Sequence, residues 1–517
     1  MLQVKNITIT EKKTGRTLWK NVSFVLNAQD KIAVIGEEGD GKSTLLKAIV
    51  DKHLVPYVNV EGQIIKQNVH IGYVGQFLDS DWNSQTVLSY FLKQTPTGEE
   101  TYEIYEQFAH LQNILATVGL SEHLLETNQT VGTLSGGEKV KLQFAKMLLN
   151  NPNCFILDEP TNDIDIQTLA WVESFLQSTM YPVLFISHDE TLLKHVANGI
   201  LHIEQTQKKT IPICTFERIS YDEYVQKRAN SLQRQEQIAL KQRAQDKARA
   251  ERWQQMYAKV QSQQNSISRQ DPHGGRLLKK KMQSVLSQKK RFEKERESFT
   301  EIPEPEEAIK LKFSNVVLPK STCVLSYNAP QLTVGEKVLA RNIQLQVYGP
   351  QKVIITGANG IGKTTLLRSI YMYMQQQKRF RVGYMPQNYE EELGAYPTVM
   401  AFLQSFCETN EKLTKARMYL GGLKFTTEET CGSIEHLSGG QKAKLYFLKL
   451  MLGGFDVLLL DEPTRNISPL SNPVLRKALA SFTGAMIAVS HDRAFIKQVA
   501  THVYCLQKNG LHIVEER

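Results

Sequence analysis

The run LSGGEKVKLQFAKMLL at Leu134 returns as LSGGQKAKLYFLKLML at Leu437, and this repetition constrains the fold more than any other feature. Four more pairs accompany it in the same order. GEEGDGKST at Gly36 is matched by GANGIGKTT at Gly357, and YVGQ ending at Gln76 by YMPQ ending at Gln387. CFILDEPTNDID at Cys154 is matched by VLLLDEPTRNIS at Val457, and LFISHD at Leu184 by IAVSHD at Ile487. One short motif arises easily by chance, but ten in register do not. The chain is a tandem duplication.

At 517 residues it is too long for one core, and 41% apolar with 22% charged residues is ordinary for a globular protein. No apolar stretch approaches the length that spans a bilayer. The opening MLQVKNITIT lacks the layout of a secretion signal. Six scattered cysteines form no close pair that would suggest a metal or redox motif. The expected setting is a reducing cytoplasm, with no membrane partner.

Each repeated element carries chemistry. KIAVIG and KVIITG are short β-branched runs that read as buried parallel strands. Each leads into G-x-x-x-x-G-K-[ST] and then into helix formers, the context of a phosphate-binding loop. Backbone N–H groups at Gly36, Gly39, Gly41 and Thr44, and at Gly357, Gly360, Gly362 and Thr365, should cradle phosphates at a helix N-terminus. Lys42 and Lys363 should neutralise phosphate charge, while Ser43 and Thr364 offer a hydroxyl to Mg²⁺. Glu37, Glu38 and Asp40 are odd company for an anion. Because main chain and lysine hold the phosphate, these acidic side chains are expected to point outward.

FILDE and LLLDE are apolar strands ending in two carboxylates. Asp158 and Asp461 suit a Mg²⁺ contact at the strand end. Glu159 and Glu462, one residue further on, suit polarisation of an attacking water. His188 and His491 end equivalent strands and could reach the γ-phosphate from the other side.

The order of phosphate loop, glutamine, LSGG, LDEP and SHD resembles the ATP-binding cassette superfamily, in both halves of the chain. The resemblance implies an α/β fold with two P-loop ATPase domains that bind ATP and Mg²⁺. Gln76 and Gln387 would contact nucleotide and metal. It further implies two ATPs sandwiched between the halves of a monomer. Lys42 and Glu159 would share one site with Ser438, Gly439 and Gly440; Lys363 and Glu462 would share the other with Ser135, Gly136 and Gly137. ATP binding would close the clamp and hydrolysis would open it. The sequence departs from the pattern after the second DEPT, where Ser468 replaces the counterpart of Asp165. Trp19 and Tyr327 are the candidates for stacking on adenine.

The segment joining the halves is chemically distinct. Lys227 to Thr300 holds 19 Lys and Arg against 7 Asp and Glu, a net of +12 where the whole chain has +9. Helix formers dominate it, with SYDE at Ser220 a capping-box pattern. Pro272, Gly274 and Gly275 are expected to break it near the tip, 266–276, before a second helix resumes at Arg276. The expected layout is a first cassette at 1–219, a long basic α-helical hairpin at 220–302 and a second cassette at 303–517. Clustered Lys and Arg mark a nucleic-acid partner, here expected to be contacted by Arg269, His273, Arg276, Lys279, Lys280 and Lys281. Trp253, Tyr257 and Phe292 are expected to pack between the two arms.

Two cassettes fused by a basic helical hairpin resemble the ABC-F translation factors. That resemblance implies an ATP-closed clamp in the tRNA exit site of the ribosome. The linker would point toward the peptidyl-site tRNA, rRNA and the peptidyl-transferase centre. Some members relieve stalled translation and others confer antibiotic resistance by dislodging ribosome-targeting drugs. The compact first half resembles the bacterial members, resistance proteins among them. A membrane transporter's ATPase subunit leaves the basic hairpin unexplained. A DNA-handling ATPase usually brings cysteine clusters or far longer coiled coils.

Overall fold

The computed structural model describes residues 1–93, 98, 108–162, 164–206, 211–266, 272–296, 299, 313, 316–407, 409–423 and 425–516, with backbone alone at 206 and 272–275. The chain divides into two compact units. One comprises Met1–Tyr221 with Glu306–Arg517, and the other is Asp222–Pro305.

In the first unit each half of the duplication builds a mostly parallel six-stranded sheet. Its strands in the first half are β3 (Lys31–Ile35), β5 (Ile71–Val74), β6 (Cys154–Asp158), β7 (Val183–Ile186), β8 (Gly199–Thr206) and β9 (Ile211–Glu217), in the order β5-β6-β7-β3-β8-β9. A separate antiparallel sheet, β2-β1-β4, is formed by β1 (Leu2–Glu11), β2 (Thr17–Leu26) and β4 (Val58–Lys66). The second half repeats the order as β13-β14-β15-β12-β16-β17. There β10 (Cys323–Val334) pairs with β11 (Lys337–Tyr348), and the larger sheet comprises β12 (Lys352–Thr356), β13 (Val382–Met385), β14 (Val457–Asp461), β15 (Ala485–Val489), β16 (His502–Gln507) and β17 (Gly510–Glu516).

The strands β3, β6, β7, β14 and β15 are buried at every position. This is why they read as continuous apolar runs rather than alternating ones: both faces of a parallel sheet are covered. Four helices of the first half matter for the site: α1 (Lys42–Val50), α2 (Gly136–Leu149), α3 (Ile166–Ser178) and α4 (Glu190–Val196).

The second unit is helical. Helix α5 (Tyr221–Ser266) enters it, and α6 (Pro272–Arg296) returns. The 46 residues of α5 span about 69 Å at 1.5 Å per residue. The arms run antiparallel: Arg296 Nε donates to Asp246 Oδ2 at 2.8 Å and Arg249 Nη1 to Glu295 Oε2 at 3.2 Å. Trp253 stacks on Tyr257 of its own helix and donates its indole N–H to the Val285 carbonyl at 2.7 Å, so Trp253 does pack between the arms. The return helix begins at Pro272, not at Arg276, and runs through both glycines. Proline is tolerated in a first turn because its missing N–H would have no partner there.

The second half of the first unit continues with α7 (Lys363–Gln377), α8 (Gly439–Leu452), α9 (Asn472–Ser481) and α10 (Arg493–Val499). Asp165 caps α3 by accepting from Thr168 N at 2.9 Å. Ser468 at the equivalent place instead donates to the Ser471 hydroxyl, and α9 starts only after Ser471, with proline in its first turn.

Candidate ATP sites

The phosphate loop follows β3, the paired carboxylates follow β6 and His188 follows β7, so three adjacent strands deliver the first set to one sheet edge. Strands β12, β14 and β15 do the same in the second half. Such a carboxyl edge is where open α/β sheets bind ligands. Gly41 and Gly362 cap α1 and α7 in the left-handed region, at φ 83° and 103°, which glycine adopts without strain. Lys42 Nζ donates to the carbonyls of Gly36 at 3.1 Å and Glu37 at 2.8 Å. Lys363 Nζ donates to Gly357 and Ala358, both at 2.9 Å. Both ammonium groups are thus held beneath their loops.

Asp158 is fully buried and accepts the Ser43 hydroxyl at 2.7 Å. Burial pushes it up to about 6 against that hydrogen bond. Asp461 is 1% exposed, and neither of its carboxylate oxygens has a well-formed partner among the described residues. Burial pushes it to about 6 as well, with the Thr364 hydroxyl and Lys363 acting the other way. A buried carboxylate with idle lone pairs beside a hydroxyl fits a hard divalent cation.

Glu159 and Glu462 share an uncommon backbone, φ 50° and 49°, directly after their strands. Each N–H still bonds the neighbouring strand, to Ile186 O at 3.1 Å and Val489 O at 2.9 Å. The left-handed turn then redirects the side chain, a constraint that concentrates at functional sites. Their surroundings differ. Glu159 accepts from Gln76 Nε2 at 2.8 Å and from Asn162, with His188 Nε2 at 3.2 Å. Burial raises it, but His188 and then Lys42 outweigh burial and hold it at about 2. Glu462 accepts the His491 N–H at 3.3 Å, and the His491 ring stands 3.9 Å off. Burial, then Asp461, pushes Glu462 up to about 8; burial and Lys363 push His491 down to about 4.

The halves meet at both edges. A cavity of about 710 Å³ is lined by Lys363, Thr364, Gln387, Asp461, Glu462 and, from the first half, Gly136. Ser135 and Ser438 cap α2 and α8 through complete capping boxes with Glu138 and Gln441. At the other edge Glu38 Oε2 accepts the Gly440 N–H and Lys444 Nζ lies 3.1 Å from Glu37 Oε2. His188 Nδ1 donates to the Ile467 carbonyl at 3.0 Å, again across the halves. A small space of about 20 Å³ lies between Glu37, Glu38, Ser438, Gly440 and Lys444.

The ABC transporter family profile matches residues 19–162 and 340–465. The chain belongs to that family. Within it, this is a tandem ATPase of the ABC-F kind. It is 29% identical to the ATP-binding protein YdiF of Bacillus subtilis, over 96% of this chain and 79% of that one. It is 26% identical to ABC transporter F family member 5 of Arabidopsis thaliana, over 97% of this chain and 74% of that one. In fold it is similar to the archaeal ribosome recycling factor aABCE1, solved with the stalk protein aP1, at TM-score 0.59 and 15% identity. That alignment covers 98% of this chain and 89% of the other.

Three expectations for the cassettes need correction. Glu37 and Glu38 do not point outward; they cross to the second cassette. Asp40 folds inward, 4% exposed, and accepts the Glu37 N–H at 2.9 Å. Trp19 offers no face for stacking: it is fully buried, its N–H donated to Gly41 O at 2.8 Å. Tyr327 is 8% exposed and bonded to the Ser369 hydroxyl at 2.7 Å. The apolar wall beside the second phosphate loop comes instead from Val334 and Leu339, on the β10–β11 hairpin. At the linker tip Arg276, Lys279, Lys280 and Lys281 are exposed. Arg269 and the His273 side chain lie outside the described residues. No described helix is long and apolar enough to cross a membrane.

Proposed function

We propose that this ATPase is a ribosome-associated translation factor that closes on ATP in the tRNA exit site. Its linker then acts toward peptidyl-site tRNA and the peptidyl-transferase centre. The observation that supports this reading is a helical unit whose return helix exposes Arg276, Lys279, Lys280 and Lys281, in a chain whose two cassettes meet around Lys363, Glu462 and Gly136. Exposed cations on a slender arm suit RNA phosphates, whose contacts dominate affinity and respond to salt. The fold shared with a ribosome recycling factor is compatible with this partner.

In this reading the phosphate loops, Gln76, Gln387 and the Ser135–Gly137 and Ser438–Gly440 segments bind ATP. Asp158 with Ser43, and Asp461 with Thr364, hold Mg²⁺, which neutralises phosphate charge when bound. Glu159 and Glu462 orient and deprotonate water, assisted by His188 and His491. Release of a ribosome-targeting antibiotic is the output proposed here, and relief of stalled translation is the alternative.

The test is sedimentation of the Glu159→Gln/Glu462→Gln protein with purified ribosomes. Co-sedimentation that requires ATP and weakens with salt is the expected result. Protein left at the top of the gradient with and without ATP removes the ribosome from this reading.

A further inference from the structure

The strands ending in SHD align the cassettes at an offset that pairs Glu173 with Arg476, Glu190 with Arg493 and His195 with Gln498. All six side chains meet at the junction of α3 and α4 with α9 and α10. Arg476 donates to Glu190 through Nη1 at 2.8 Å and Nη2 at 2.9 Å, a bidentate bridge with side chains only 2% and 6% exposed. Arg493 pairs with Glu173 and, at 3.2 Å, with Asp189. These two bridges are one contact made twice, related by the internal duplication.

What differs is the sign. The first cassette supplies both glutamates and the second supplies both arginines. The third position follows suit. His195 faces Glu173, whereas Gln498 offers its amide oxygen to Arg476 Nε at 2.8 Å. A ring nitrogen donor suits a carboxylate, and a carbonyl acceptor suits a guanidinium, which can only donate.

We propose that these six positions form a charge code by which the first cassette selects the second and rejects another copy of itself. Homotypic pairing through the same surface would set Glu173 against Glu190, or Arg476 against Arg493. A desolvated like-charge pair is strongly disfavoured, and built-in repulsion is how duplicated surfaces acquire distinct partners. The code lies outside both nucleotide sites, so it governs which surfaces close rather than the chemistry between them.

The test uses the full chain and reads ATP turnover together with the ATP-dependent distance between probes on the two cassettes. Arg476→Glu alone and Glu190→Arg alone should each lower turnover tenfold or more and leave the probes apart. The exchange Glu190→Arg/Arg476→Glu should return both to within about threefold of the parent, since a tenfold effect corresponds to about 1.4 kcal/mol. If the buried variants do not fold, Glu173→Arg/His195→Gln/Arg493→Glu and its single members, all in an Asp189→Asn background that removes the second carboxylate facing Arg493, provide the same comparison at the more exposed bridge. An exchange as impaired as its single members overturns the proposal. Partner choice is read by mixing Arg476→Glu/Arg493→Glu protein with Glu173→Arg/Glu190→Arg protein. Turnover should appear on mixing and be absent from either alone; parent-level turnover by the all-glutamate chain alone overturns the code.

Discussion

Glu38, in the first phosphate loop, accepts the backbone N–H of Gly440 at the start of α8 in the second cassette. The family resemblance places Gly440 in the first ATP site, so in the proposed reading a carboxylate of the chain holds a place that the nucleotide would take. The second phosphate loop has Asn359 at the equivalent position. A charge-assisted hydrogen bond is worth about 1.5–3 kcal/mol. Glu38→Asn should therefore tighten ATP binding at the first site by about tenfold or more. Nucleotide titration of the Glu159→Gln/Glu462→Gln protein with and without Glu38→Asn measures this. Equal affinities would mean that Glu38 leaves the Gly440 N–H at no cost.

Glu159 and Glu462 should give opposite pH signatures. Glu159, held at about 2, lies below the ordinary 4.5, so the fold favours its ionised form. Its contribution is complete above 4.5 and is lost as pH falls toward 2. Glu462, pushed to about 8, favours the protonated form; its contribution is complete below 4.5 and is lost as pH rises through 8. Differences of this size correspond to about 3 kcal/mol for Glu159 and about 5 kcal/mol for Glu462. In nucleotide-free protein, Glu159→Gln should lower the Tm near pH 7. Glu462→Gln should raise it near pH 9 and leave it unchanged near pH 5. Calorimetry at the three pH values is decisive, and shifts of the same sign for both variants contradict the assignment.

Asp461 combines near-complete burial with carboxylate oxygens that have no well-formed partner among the described residues. Removing its charge should relieve the apo protein and disable metal-assisted nucleotide binding. Asp461→Asn should raise the Tm at pH 8 by a few degrees without Mg²⁺ and abolish the further rise that Mg²⁺ and ATP bring at the second site. Thermal unfolding across a Mg²⁺ titration separates the two effects. An unchanged response to Mg²⁺ would place the cation elsewhere.

Much of the frame is legible in the sequence because it is written in local rules. Buried parallel strands need continuous apolar runs, and phosphate loops need glycine at left-handed caps, so β3 with Gly41 and β12 with Gly362 stand out directly. The burial of Trp19 was less visible, since an aromatic residue before a phosphate loop suits a core as well as a base. The course of Glu37 and Glu38 depends on Lys444 and Gly440, more than four hundred residues away. The code at Glu173, Glu190, Arg476 and Arg493 reads as ordinary helix-surface charge until the two halves are aligned and packed. Pro272 misled because proline ends a helix from within but also begins one.

The linker tip provides the sharpest separation between ATP chemistry and its use. Arg276, Lys279, Lys280 and Lys281 are exposed and belong to a compact unit distinct from the one that holds both cassettes. Replacing Lys279, Lys280 and Lys281 by Gln should leave basal ATP turnover within about twofold, because none of the three lines the cavity around Lys363 and Glu462. Ribosome binding should fall and its salt dependence flatten, since log affinity falls with log salt by about 0.7–0.9 for each phosphate contact. Losing three contacts should reduce that slope by about 2 to 3. Co-sedimentation of the Glu159→Gln/Glu462→Gln protein over a salt series, with and without the three substitutions, measures it. An unchanged slope would make the basic tip a spacer, and RNA contact would then have to be sought on the cassettes.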